Sequence, residues 1–195
     1  MNQSDEDLKE VCISSQTIVE GGMLLAKRDK VLLSNGVMSQ REYVIHPGAV
    51  VIVAINEKGT LVLERQFRYP LNKVFIELPA GKIDSGEPPI VTGQRELLEE
   101  TGYAAEEWIY LALQHPCIGY SNEVIHIYLA RNLTAGNHQR DEDEALQLFD
   151  ASLDDCLKMI QQGLITDGKT IVALFWAEKY MRGLWEPTHQ IADLR

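Results

Sequence analysis

No apolar run in this chain approaches the roughly 20 residues that cross a bilayer as a helix, so a membrane span is not expected. Cysteine is scarce: Cys12, Cys117 and Cys156 are odd in number and far apart. They offer neither zinc-ligand spacing nor a disulfide framework, and reduced thiols in a cytoplasmic protein are the expectation. Positive charge is also short, with 18 Lys and Arg against 29 Asp and Glu and a formal net charge of -11. That balance excludes a general nucleic-acid binder, which must neutralise phosphates with a basic surface. A small anionic substrate stays open, because a bound divalent metal inverts the sign of an acidic site. The acidic first ten residues lack an apolar centre, so no signal peptide is expected. Internal repeats and low-complexity linkers are absent as well.

What is there is ordinary globular composition, 45% hydrophobic and 24% charged, over a length that buries one full core. The first part reads as short strands: Thr17–Val19, Met23–Leu25 and Val31–Leu33, then a run from Arg41 to Ile45. Asn35-Gly36 supplies a hairpin signal between the last two. His46-Pro47-Gly48 closes this antiparallel sheet, so residues 1–46 are expected to form an N-terminal β extension and 47–195 a second domain.

In the second part, Ala49–Ala54 is apolar throughout, as in a strand buried on both faces. Thr60–Phe67, Val74–Leu78, Trp108–Leu113, Val124–Ala130 and Ala145–Phe149 read as further strands. Pro88-Pro89 and Gly102 bracket a helix, with Ile90, Val91, Leu97 and Leu98 as its expected buried stripe. Ser152 and Asp167 fit as caps of two later helices, the last with Ile171, Leu174, Phe175 and Tyr180 as core candidates. The order of elements implies an α+β fold with helices on the faces of a mixed sheet.

The middle helix carries the chemistry. Glu96, Glu99 and Glu100 stand at i,i+3 and i,i+4 spacing, within about 100° of arc. Unpaired, they repel one another by a few tenths of a kcal/mol per pair, so a cation is expected among them. A solvated acidic helix face is the plain alternative. The acids also belong to a wider spacing. Gly81 is followed after five residues by Glu87, after seven more by Arg95-Glu96-Leu97, then after one by Glu99-Glu100 and after one by Gly102. Fixed identities at roughly 7% each make a chance match on the order of 10⁻⁸ per starting position.

This pattern resembles the signature of the Nudix hydrolases, a family of metal-dependent diphosphate hydrolases. Tyr103 departs from it, standing where an aliphatic residue is usual, and Thr92 and Gly93 replace common alanines. The resemblance implies a Nudix fold, a mixed β-sheet sandwiched between helices. It also implies Mg²⁺, with Mn²⁺ next, held by Glu96, Glu99, Glu100 and the carbonyl of Ala80. Arg95 and Glu87 would orient those ligands.

Three features outside the signature resemble the ADP-ribose pyrophosphatase branch. They are the N-terminal β extension, Pro116 fourteen residues beyond Gly102, and the acidic run Asp141–Glu144. From that branch follow Glu142 as general base, Glu144 as a further metal ligand, and Arg68 and Glu123 as substrate contacts; Arg41, near the N-terminal sheet, is a further candidate for phosphate or nucleotide contact. The implied reaction is hydrolysis of ADP-ribose to AMP and ribose 5-phosphate by a homodimer. Another nucleoside diphosphate sugar, a dinucleoside polyphosphate, and a non-catalytic nucleotide sensor on the same fold are the alternatives.

Overall fold

The computed structural model describes residues 5–136 and 145–188. The chain divides into two compact units, Met1–His46 with Cys117–Glu123, and Pro47–Pro116 with Val124–Arg195.

In the first unit, β1 (Glu10–Glu20), β2 (Leu25–Leu33) and β3 (Met38–Ile45) form an antiparallel sheet in that order. Gly36 takes φ +81 in the β2–β3 turn, a left-handed conformation that glycine adopts without a Cβ penalty. Met23–Leu25 and Val31–Leu33 are not two strands. Leu25 to Leu33 is one, continued through the charged residues Lys27 to Lys30. Apolar patterning could not show this, since every residue of β1 beside it is exposed and charged pairs tie β2 to its neighbours, as Arg28 does to Glu42. Cys117–Glu123 joins this unit because Val44 pairs with Ser121 and its amide donates to the Tyr120 carbonyl at 2.8 Å.

The second unit holds two sheets and three helices. One sheet has the order β7 (Ala80–Lys82), β4 (Ala49–Ala54), β9 (Ile125–Ala135), β8 (Tyr103–Gln114), with β4 and β9 parallel and the other pairs antiparallel. The other has β10 (Leu146–Ala151), β5 (Leu61–Arg68) and β6 (Lys73–Glu77), all antiparallel. Alternation along β4 feeds two cores. Val51 and Val53 pack with Ile127, Leu129, Ala173 and Leu174, the last two from α3 (Gly168–Met181). Val50, Ile52 and Ala54 pack with Leu97 of α1 (Pro89–Thr101) and with Tyr128. Each fully buried aliphatic side chain here stabilises by about 1.5–3 kcal/mol. Helices therefore cover a mixed sheet, as the element order implied, and α2 (Leu153–Gln161) packs beside α3.

The helix caps follow the sequence. Ser152 accepts from the Asp155 amide, Asp167 accepts from the Thr170 amide, and Gly102 ends α1 at φ +72. Two expected core assignments differ. Val91 is exposed, and the side of α1 facing the sheet carries Thr92, Gly93, Leu97 and Glu100 instead. A Cβ on Gly93 would meet the Trp108 ring at 3.2 Å and Val50 at 3.3 Å, so glycine here lets the helix approach the sheet closely. Phe175 is also largely exposed, and small Ala173 and Ala177 flank Leu174 in the core.

Candidate active site

Two local structures converge on Arg95. Helix α1 projects Arg95, Glu96, Glu99 and Glu100 over one turn, while β7 is held against β4 by pairing of Ala80 with Val51 and Gly81 with Val50. The Arg95 guanidinium bridges the acids. Its Nη1 donates to Glu96 at 2.8 Å and to Glu99 at 3.0 Å; Nε and Nη2 donate to the two oxygens of Glu87 at 3.2 and 3.1 Å. Nη2 also reaches the Lys82 carbonyl at 3.2 Å, tying helix to strand. The hydrogen bonds to Glu87, with the charge of Glu96 and the hydrogen bonds to Glu96 and Glu99 behind them, outweigh partial burial and raise the Arg95 pKa further above its ordinary value. Glu87 responds in the opposite sense: donation from Arg95 and then from Thr92, at 2.7 Å, holds its carboxyl below the usual range. Thr92, which replaces a common alanine, thus acts as a strut for Glu87.

Glycine at position 81 is required by close approach. A Cβ there would lie 1.8 Å from the Glu96 carboxyl carbon and 1.9 Å from one of its oxygens. Glu100 is almost wholly buried, and its Oε2 accepts from the Ala80 amide at 3.0 Å. The three glutamates therefore do not form one solvated face. Glu100 points into the fold, Glu96 toward the Gly81 strand, and Glu99 is the most accessible at 35%.

Among the described residues, no group of three or more His, Cys, Asp or Glu side chains stands close enough to hold one metal ion. The reason is visible in the contacts: Arg95 lies between Glu96 and Glu99, and Glu100 turns to Ala80. The donor set nevertheless fits a hard divalent cation. Among the described residues, Glu87, Glu96 and Glu99 share the Arg95 cation, and Glu100 adds a fourth carboxylate one turn along the helix from Glu96.

The remaining expected residues are placed as follows. Arg68, at the end of β5, makes a two-pronged contact with Glu77 at 2.7 and 2.8 Å, leaving Nη1 outside that fork. Arg41 and Glu123 belong to the first unit. Arg41 pairs with Glu10 and Ser39, and Glu123 lies 3.7 Å from the His46 ring nitrogen. Glu142 and Glu144 lie outside the described residues. Sequence reasoning missed Glu77, Lys169 and Thr170. Glu77 is 2% exposed and bonded to both Arg68 and Lys169. The available signal was a lone acid in the otherwise apolar run Phe75–Leu78, since such a buried charge requires partners.

The NUDIX domain family model matches residues 45–167, well over half of the chain. The chain belongs to the Nudix family. This Nudix chain is 36% identical over 171 residues to an ADP-ribose pyrophosphatase of Bacillus subtilis (strain 168), covering 87% of this chain and 92% of that one. It is 41% identical over 170 residues to a methanol dehydrogenase activator of Bacillus methanolicus, covering 85% and 91% respectively. Among solved structures, an ADP compounds hydrolase shares the fold with a TM-score of 0.82 at 24% identity, over 90% of this chain and 95% of that one. Nudix hydrolases depend on divalent metal ions, in keeping with the acid-rich surroundings of Arg95. No helix among the described residues is long and apolar enough to cross a membrane.

Proposed function

We propose that this chain is a divalent-metal-dependent pyrophosphatase that hydrolyses ADP-ribose to AMP and ribose 5-phosphate. The observation that carries the reading is the excess of carboxylate around Arg95, on a chain that aligns nearly end to end with an ADP-ribose pyrophosphatase. Glu96, Glu99, Glu100 and the carbonyl of Ala80 would hold Mg²⁺ or Mn²⁺, with Glu144 as a further ligand. When bound, the ion offsets the diphosphate charge and polarises its phosphoryl oxygens. Arg95 and Glu87 keep Glu96 and Glu99 in place through the contacts described above. Glu142 takes a proton from the attacking water as its oxygen bonds to phosphorus and the bridging P–O bond breaks.

Arg68, through its Nη1, together with Glu123 and Arg41 would contact the substrate. The enzyme would act in the cytoplasm as a homodimer. The exposed Val11, Ile13 and Val19 along β1 support a second copy of the chain as partner of that strand. A panel of ADP-ribose, GDP-mannose, UDP-glucose and a dinucleoside polyphosphate with Mg²⁺ tests the substrate. Preference for ADP-ribose is expected; equal or lower activity on it overturns the assignment.

The 41% identity to a methanol dehydrogenase activator favours a second reading, in which a dehydrogenase is a protein partner of the same chain. An increase in methanol dehydrogenase rate on adding this protein would support it, and an unchanged rate would remove it.

A further inference from the structure

Between β6 and β7 the chain leaves one sheet of the second unit and enters the other, so Leu78 and Pro79 have no place in either ladder. A buried amide in such a crossing needs a partner, or it costs about 1–3 kcal/mol. Every residue of the crossing is anchored. The Glu77 carboxylate is gripped by Arg68 and Lys169; the Leu78 amide donates to the Thr170 hydroxyl at 3.0 Å. The Pro79 carbonyl accepts from Ile52 at 2.9 Å, and the Ala80 amide donates to Glu100 at 3.0 Å. Two of these five anchors, Lys169 and Thr170, come from the first turn of α3, remote in sequence from the signature. That turn is itself fixed: Asp167 caps it by accepting from the Thr170 amide at 3.0 Å and from Lys169 at 3.0 Å. Thr170 is fully buried, so its hydroxyl has a defined place.

We infer that the N-terminal turn of α3 is a positioning device for the Ala80–Gly81 strand, and that Thr170 and Lys169 are positioning residues for the hydrolytic site. The inference rests on the pyrophosphatase reading above. The chain of contacts is short. Thr170 and Lys169 set Leu78 and Glu77, which set Ala80 and Gly81. Ala80 in turn holds Glu100, and Gly81 leaves just the room that the Glu96 carboxylate fills. A shift of the crossing would move a backbone donor and a steric wall against two of the metal-holding side chains at once.

The test uses the full chain and the variants Thr170→Val, Thr170→Ser and Lys169→Met. Mn²⁺ affinity is measured without substrate by electron paramagnetic resonance of the free ion, beside kcat and KM for ADP-ribose and thermal melting. Partners of ligating residues are worth about 10–100-fold in metal affinity or activity. Thr170→Val and Lys169→Met are therefore expected to weaken Mn²⁺ binding by about tenfold. The same variants should lower kcat to match while KM stays nearly constant, with Thr170→Ser close to the parent chain. Mn²⁺ affinity within about twofold of the parent in both variants overturns the inference, whatever melting shows. If Thr170→Val does not fold, Lys169→Met decides alone, since the Lys169 side chain is partly exposed where Thr170 is fully buried. A parent chain that binds Mn²⁺ without cleaving ADP-ribose removes the substrate reading but leaves the affinity comparison decisive. A parent chain that binds no Mn²⁺ removes both.

Discussion

Two clusters of charged side chains sit on either side of the crossing from β6 to β7, and they differ in their balance. Around Arg95, Glu87, Glu96 and Glu99 draw on one guanidinium and Glu100 turns to the Ala80 amide. Around Glu77, the acids Glu77, Asp167 and nearby Glu64 share two cations, Arg68 and Lys169. Both are built from the same side-chain types at similar distances. Where acids and bases nearly match, the groups satisfy one another and the cluster braces the fold. Where carboxylates outnumber the cation among the described residues, as around Arg95, the cluster suits a further positive charge. Charge balance, more than the presence of ion pairs, separates a binding site from a strut.

The largest expected effect strikes the acid-rich cluster. Glu99→Gln or Glu100→Gln should lower ADP-ribose turnover by about a hundredfold or more while melting stays near that of the parent chain. Each removes a charge yet keeps the side-chain shape, and in Glu100→Gln the side-chain carbonyl oxygen could still accept from Ala80. Turnover that survives both changes would break the comparison. Gly81→Ala comes next. Its methyl group would overlap the end of a flexible Glu96 side chain rather than backbone, so the fold is expected to survive. Activity should fall about 10–100-fold as the Glu96 carboxylate is displaced. A fall in melting temperature without loss of activity would show that Gly81 serves packing alone.

The balanced cluster is expected to lose stability in addition to the site positioning inferred above. Glu77→Gln leaves two cations beside a neutral group. Because Arg68 is partly solvated, the expected loss is about 2–3 kcal/mol, below the full cost of breaking a buried pair. Melting temperature should fall by about 5–10 °C. The pH dependence sharpens this. Burial pushes the Glu77 carboxyl up, but hydrogen bonds from Arg68 and the charge of Lys169 outweigh it and leave it below its ordinary 4.5. Its stabilisation is therefore present above pH 4.5 and is lost as pH falls through the lower native value. Acid melting curves of Glu77→Gln should be flatter in that window than those of the parent chain. The smallest effect belongs to Val91→Ser on the exposed side of α1, which should change stability by less than about 0.5 kcal/mol. A loss of about 2 kcal/mol, the scale of a buried aliphatic side chain, would return Val91 to the buried stripe that helical spacing suggested.

That misplacement of Val91 shows where sequence reasoning stops. The span of α1, its proline start and its glycine stop were legible because each depends on local backbone rules. The reaction class was legible because Gly81, Glu87, Arg95, Glu96, Glu99 and Glu100 lie within one short stretch. The facing of the helix was not, since Gly93 and Thr92 bury themselves against Trp108, Val50 and Glu87 without any apolar signal. β2 was split in two because its charged middle pairs across the sheet instead of entering a core. Thr170 and Lys169 reach Leu78 and Glu77 from 92 residues away, and no local pattern encodes that contact.

The most direct test of the central claim, that the acid-rich surroundings of Arg95 form a metal-dependent pyrophosphatase site, is the rate of ADP-ribose hydrolysis as Mg²⁺ is added to metal-free protein. The account predicts no turnover in chelator, a rate that rises and saturates with Mg²⁺, and AMP and ribose 5-phosphate as products. Turnover at full rate in chelator, or none at any Mg²⁺ concentration, would contradict it.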